Sequence, residues 1–167
     1  MKKAPPLLQL LIEKIIKSTE KSLNSSSDYL RHIARISPQA FLYFGMSTPL
    51  AAYRKKAPAE AYHVARLVAV AREGCKSSLE IEKTLARRAG LDASTIGAAI
   101  ENNREKLGET AQLAHDFAVA LLGSCEKSLE APRQKSREIL GEAATMELAM
   151  AVASCRMFPT IRRGLGA

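Results

Sequence analysis

The chain has 167 residues, 25 Lys+Arg against 17 Asp+Glu, a formal charge of +8, 47% hydrophobic and 5% aromatic residues, and no Trp. That length fits one domain with a single core, the apolar fraction excludes wholesale disorder, and no apolar run approaches the roughly 18 residues that span a bilayer. Few Gly and Pro and a lack of β-branched runs exclude a sandwich, while three cysteines without an export signal exclude a disulfide framework and predict a cytoplasmic protein.

The expected architecture is all-α: one domain over 1–167, eight or nine helices and no sheet. Residues 1–24 form an amphipathic helix and loop, 58–124 the core helices, and 132–167 the C-terminal helices. Lys2 and Lys3 before Leu7 to Ile12 resemble the start of a signal peptide, but Gln9, Glu13 and Lys14 interrupt the apolar stretch. Leu7, Leu8, Leu11, Ile12, Ile15 and Ile16 instead recur at helical spacing, a stripe to be packed on the core or on a second subunit. Pro5 and Pro6 suit the entry to this helix. The loop Ser25-Ser26-Ser27-Asp28 ends in an N-cap for a helix from about Tyr29, and Ser37-Pro38, Thr48-Pro49 and Ala57-Pro58 each open another.

From Pro58 to Glu73 the chain is rich in Ala and Val, with Val64, Val68 and Ala71 on one face and Ala61, Ala65 and Ala69 beside them. Gly74 offers a stop, Cys75 opens a helix to about Ala89, and Gly90 closes it in the left-handed region. Asp92 or Ser94 caps the next helix, through Ile96 and Ile100. A long helix runs from about Glu109 to Leu122. Pro132 breaks the chain before a short helix with Ile139 and Leu140, and the last helix bends or ends at Pro159.

Charge is unevenly divided: residues 1–83 hold 14 Lys+Arg and 7 Asp+Glu, residues 84–167 hold 11 and 10. A basic half raises binding to nucleic acid or an anionic membrane as a function. Its longest cluster is only Arg54-Lys55-Lys56, without interleaved aromatics and without helix-turn-helix or zinc-finger spacing, so a solvated face is expected instead. His32, His63 and His115 lack the i, i+4 spacing of a helical metal site and read as helix-surface or core-edge residues. No nucleophile elbow, P-loop or dinucleotide fingerprint is present, so no metal or cofactor is predicted.

Cys75 remains. A thiol at a helix start meets unpaired backbone N–H groups and the positive end of the macrodipole, and Lys76 adds a cation. Glu73 opposes the thiolate. The alternative is a small buried hydrophobe, which is also the expectation for Cys125 and Cys155.

The stretch GCKSSLEIEKTLARRAGLDASTIGAAI resembles the core of the carboxymuconolactone decarboxylase and AhpD-like superfamily, where an Ala-rich helix precedes a Cys-x-x-Cys helix ending in Ala-Gly. DYLRHIARISPQAFLYF and SCRMFPTIRRGLG resemble flanking segments of one branch, so the resemblance runs from about Asp28 onward. In redox-active members the two cysteines reduce a peroxide or disulfide, while a His four residues after the second Cys and an upstream Glu relay protons. By position these fall on Cys75, Ser78, Glu82 and His63, so only the first residue is kept. Serine cannot resolve a sulfenic acid, so the resolving thiol would be Cys125, Cys155, a second subunit, a small thiol or a redox protein. The resemblance implies a homo-oligomer with monothiol, peroxidase-type antioxidant chemistry at Cys75. The alternative is a catalytically silent family member that binds a partner or small molecule. For the redox reading, His63 and Glu82, each at the other's family position, are a candidate proton-relay pair across Cys75.

Overall fold

The computed structural model describes residues 5–23 and 26–166. Lys2, Lys3 and Ser25 lie outside them. Ten α-helices follow in order: α1 (Pro6–Leu23), α2 (Asp28–Ile36), α3 (Pro38–Gly45), α4 (Ser47–Ala51), α5 (Ala59–Arg72), α6 (Lys76–Arg88), α7 (Ala93–Ile100), α8 (Glu109–Leu121), α9 (Glu126–Leu140) and α10 (Glu142–Leu165). A 3-10 turn at Arg104–Lys106 precedes α8. Apart from the single turn α4, nine helices have eight residues or more, and among the described residues there is no strand. The all-α expectation holds. No helix of the described residues is long and apolar enough to cross a membrane.

The core is built around α5. Its residues from Ala61 to Val70 are buried on every side except at His63, as an apolar helix enclosed by neighbours requires. Alanines at 61, 65 and 69 let α6, α7, α8 and α10 approach it closely. A second, smaller cluster joins Ile12, Ile16, Leu30 and Phe41 in an N-terminal layer made of α1 to α3. Only part of the α1 stripe is covered: Ile12 and Ile16 are buried, but Leu7, Leu11 and Ile15 are 80%, 51% and 42% exposed. A layer this thin covers one helix face and leaves the adjoining one open.

Local signals explain most boundaries. The Ser37 side chain accepts the Ala40 N–H at 3.1 Å with Pro38 at the first helical position, and Asp92 accepts the Thr95 N–H at 2.9 Å. Gly90, at φ +93°, ends α6 in a Schellman turn, its N–H on the Arg87 carbonyl and the Leu91 N–H on that of Ala86. Asp28 belongs to α2 rather than capping it. The Ser27 N–H at that cap donates instead to Glu20 of α1 at 2.8 Å, which Arg31 also grips, holding the Glu20 carboxyl at about 2.

Two prolines do less than expected. Helix α9 runs unbroken through Pro132, because the bond it forfeits leaves the carbonyl of Ser128, an exposed residue that water can serve. Helix α10 continues past Pro159 to Leu165. Pro159 is itself buried; the carbonyl that loses its donor is that of Cys155, and the Thr160 hydroxyl adds a bond to the next carbonyl of that turn, Arg156.

The loop before α5 is clasped to α10. Glu147, 1% exposed, accepts the backbone N–H groups of Lys55, Lys56 and Ala57 at 2.8–3.1 Å. Burial opposes its ionisation, but those three donors outweigh it and hold the carboxyl below its ordinary range. Glu147→Ala is expected to cost about 1–3 kcal/mol, read as a lower Tm in thermal denaturation, by leaving the buried Ala57 N–H without an acceptor. Because the folded pKa is depressed, the clasp contributes fully above the unfolded value of roughly 4.3. That contribution is lost as pH falls through the folded value.

Candidate functional site

Gly74, at φ +67°, reverses the chain after α5 and sets Cys75 as the N-cap residue of α6, at φ −87° and ψ 100°. The turn places Cys75 Sγ 3.2 Å from Ser78 Oγ and 3.4 Å from Ser77 Oγ. Arg162 of α10 donates to Ser77 Oγ and to the Ser26 carbonyl, and its guanidinium lies 4.5 Å from the Tyr29 ring centre. Burial alone would raise the Cys75 thiol. Hydrogen bonds from Ser77, from the hydroxyl and N–H of Ser78, and from Arg162 outweigh it and bring the thiol down to about 7.

The local charges differ from those expected next to Cys75 in sequence. Lys76 is exposed, and the cation bonded to this cluster is Arg162. Glu73 is occupied by Arg156 at 2.7 Å and Arg163 at 3.1 Å, which together hold its carboxyl low and offset its charge. The C-terminal turns of α10 thus supply three arginines to the α5–α6 corner.

Behind the thiol lies a cavity of about 430 Å³ between the N-terminal layer and α5, α6 and α10. Ser78, 7% exposed, separates Cys75 from it and forms part of its wall, as do His63 and Glu82. The structure therefore brings Cys75 and Ser78 into contact and gathers Ser78, Glu82 and His63 on one cavity. It does not hydrogen-bond His63 to Glu82. Both Glu82 oxygens are taken by Arg66, at 2.7 and 2.8 Å, in a pair that is 6% exposed at each residue. Arg66 also donates to the Ala51 carbonyl and to the Tyr62 hydroxyl. Among the described residues, His63 Nδ1 is buried with no partner. Burial, and then the Arg66 charge, push its imidazole down to about 4, so it is neutral at pH 7.

Arg66, Tyr62 and Arg162 are absent from the residues expected at this site. Arg66 carries a readable signal: a single arginine within AYHVARLVAV must find a buried partner if that helix is enclosed. The two other cysteines diverge. Cys155 is 2% exposed on the cavity wall, where burial and then the Glu82 carboxylate push its thiol well above the ordinary range. Cys125, expected to be packed, is exposed at the N-cap of α9, where a helix start on the surface needs no apolar side chain. His32 is exposed, and His115 is buried with Nε2 2.8 Å from Asn102 Oδ1.

Among the described residues no three His, Cys, Asp or Glu side chains converge on a metal-sized site. A wider groove of about 760 Å³ between α8, α9 and α10 is walled by Phe117, Leu129, Arg133 and Met146 among others, with no thiol or imidazole. Comparison of the chain with protein-family models, curated proteins and solved structures finds no match.

Proposed function

We propose that the chain is an AhpD-like protein of the reducing cytoplasm that uses Cys75 as a single redox-active thiol, with a peroxide as oxidant and a small thiol as reductant. The observation that carries this reading is the hydrogen-bonded cluster of Ser77, Ser78 and Arg162 around Cys75, which stabilises the thiolate near neutral pH. Its position at the start of α6, behind an Ala-rich α5, agrees with the resemblance in GCKSSLEIEKTLARRAG.

The thiolate attacks the distal oxygen of a hydroperoxide. The O–O bond breaks, the distal oxygen passes with its proton to sulfur as the sulfenic acid, and the leaving alkoxide takes a proton from water, releasing hydroxide. A small thiol then condenses with the protonated sulfenic acid, releasing water and leaving a mixed disulfide. A second thiol attacks the small-thiol sulfur of that mixed disulfide, displacing the Cys75 thiolate and releasing the oxidised reductant as its disulfide. Ser78 cannot perform that resolving step, and Cys155, buried with a raised thiol, is poorly suited to it. We assign the resolving step to an external thiol. The exposed stripe of Leu7, Leu11 and Ile15 supports assembly into a homo-oligomer.

The test is hydroperoxide consumption with a small-thiol reductant, together with trapping of the sulfenic acid by a dimedone-type reagent. Turnover and a trapped adduct on the Cys75 peptide are expected, and Cys75→Ser is expected to lose both. Turnover that survives in Cys75→Ser, or an adduct confined to Cys125, would remove the proposal.

A second reading, a silent binding protein, is favoured by Ser78 standing between the thiol and the cavity. It predicts ligand binding without turnover.

A further inference from the structure

We infer that the cavity between the N-terminal layer and α5, α6 and α10 is a binding site for an uncharged aromatic molecule carrying one hydrogen-bonding group. This goes beyond the redox reading and makes no use of the thiol. The cavity lies where two separate hydrophobic clusters face each other, and its volume of about 430 Å³ falls in the range of small-molecule sites. Close-packed interiors leave few voids of this size, so an apolar occupant restores contacts that the two clusters lack across it.

Aromatic rings set the shape. Phe44 meets Tyr29 and Phe158 edge-on, with ring centres 6.2 and 5.5 Å apart, and Phe41 completes that side. A flat ring can add to such an array in the same offset or edge-on manner.

Charge on the wall is already spent. Arg66 satisfies both oxygens of Glu82, and the Tyr62 hydroxyl donates to the Ala51 carbonyl at 2.7 Å. Arg162 is bonded to Ser77 and the Ser26 carbonyl and stacks on Tyr29. Arg54, exposed and bonded to the Ala57 carbonyl at 3.1 Å, keeps its charge in water. A carboxylate entering this cavity would lose its hydration and find those cations engaged. His63 differs. The His63 ring is on this wall and neutral at pH 7, and among the described residues no hydrogen bond occupies its buried Nδ1. A neutral imidazole offers one N–H and one lone pair, the complement of a single phenol or alcohol group.

The experiment titrates the full-length chain at pH 7 with 2-naphthol, naphthalene and 2-naphthoate, by calorimetry or by the probes' own fluorescence. Saturable one-to-one binding of 2-naphthol is expected, at least tenfold tighter than 2-naphthoate. His63→Phe is expected to weaken 2-naphthol at least fivefold while sparing naphthalene. Gly45, an exposed residue, also lines the cavity, and a Cβ there meets nothing within 4 Å, so Gly45→Leu is expected to narrow the cavity and weaken binding without loss of helix content. Cys75→Ser is expected to bind as the parent does, which keeps failure of the redox reading distinct from failure of this one. Preference for 2-naphthoate, no saturable binding of any probe, or unchanged binding in both His63→Phe and Gly45→Leu would overturn the inference.

Discussion

Arg66→Met alone is expected to lower stability by about 3–5 kcal/mol, whereas Arg66→Met combined with Glu82→Met recovers most of the loss. The single change strands a carboxylate in a site that is 6% exposed and removes one of the two side-chain donors to the Ala51 carbonyl, leaving Tyr62. Two charges taken out of water are tolerated because each satisfies the other. Removing one exposes the desolvation penalty of its partner, while removing both replaces a neutralised pair by apolar volume. For a chain of this size the single variant corresponds to a fall in Tm of roughly 6–20 °C. Differential scanning calorimetry on the two variants and the parent checks this. A double variant no more stable than the single one would show that the pair contributes a net stabilisation the argument does not allow. A single variant as stable as the parent would mean that Glu82 is not held by Arg66 and is free to serve the thiol.

Ser78→Cys is expected to turn the one-thiol site into a two-thiol site. The Ser78 Oγ already lies 3.2 Å from Cys75 Sγ, across the first turn of α6. With hydrogen peroxide as oxidant, the sulfenic acid at Cys75 condenses with the introduced thiol, forming an S–S bond and releasing water. Near-complete conversion is expected in the variant, read as loss of two reactive thiols that a reductant restores. In the parent the sulfenic acid is expected to persist until an external thiol arrives. Failure of the variant to form this bond would mean that the two positions do not share a redox-competent geometry.

The fold is largely legible because its signals are local. Capping by Ser37 and Asp92, the closure of α6 at Gly90 and the Ala-rich run of α5 are each decided within a few residues. The prolines mislead because their cost depends on whether the orphaned carbonyl reaches water or other bonds bridge the break, which sequence spacing does not encode. The site is legible only in part. Cys75 and Ser78 are neighbours on one turn, so their contact follows from their spacing. Arg162 reaches the thiol cluster from the end of the chain, and Arg66 claims Glu82 from another helix. Such pairings depend on how α5, α6 and α10 cross, and no periodicity reports a crossing. Cys125 shows the reverse: a cysteine after an apolar helix reads as packing, yet the chain has turned outward there.

The ionisation of Cys75 is the most direct test of the redox account. Alkylation by iodoacetamide across pH 5 to 10, followed peptide by peptide by mass spectrometry, reads the thiolate fraction of each cysteine. The Cys75 rate should rise with a midpoint near 7, giving roughly fifteenfold more thiolate at pH 7 than a thiol of ordinary pKa 8.5. Arg162→Ala should move that midpoint upward, and Cys155 should stay unreactive until the chain unfolds. A Cys75 midpoint at or above about 8.5, unmoved by Arg162→Ala, would contradict the account.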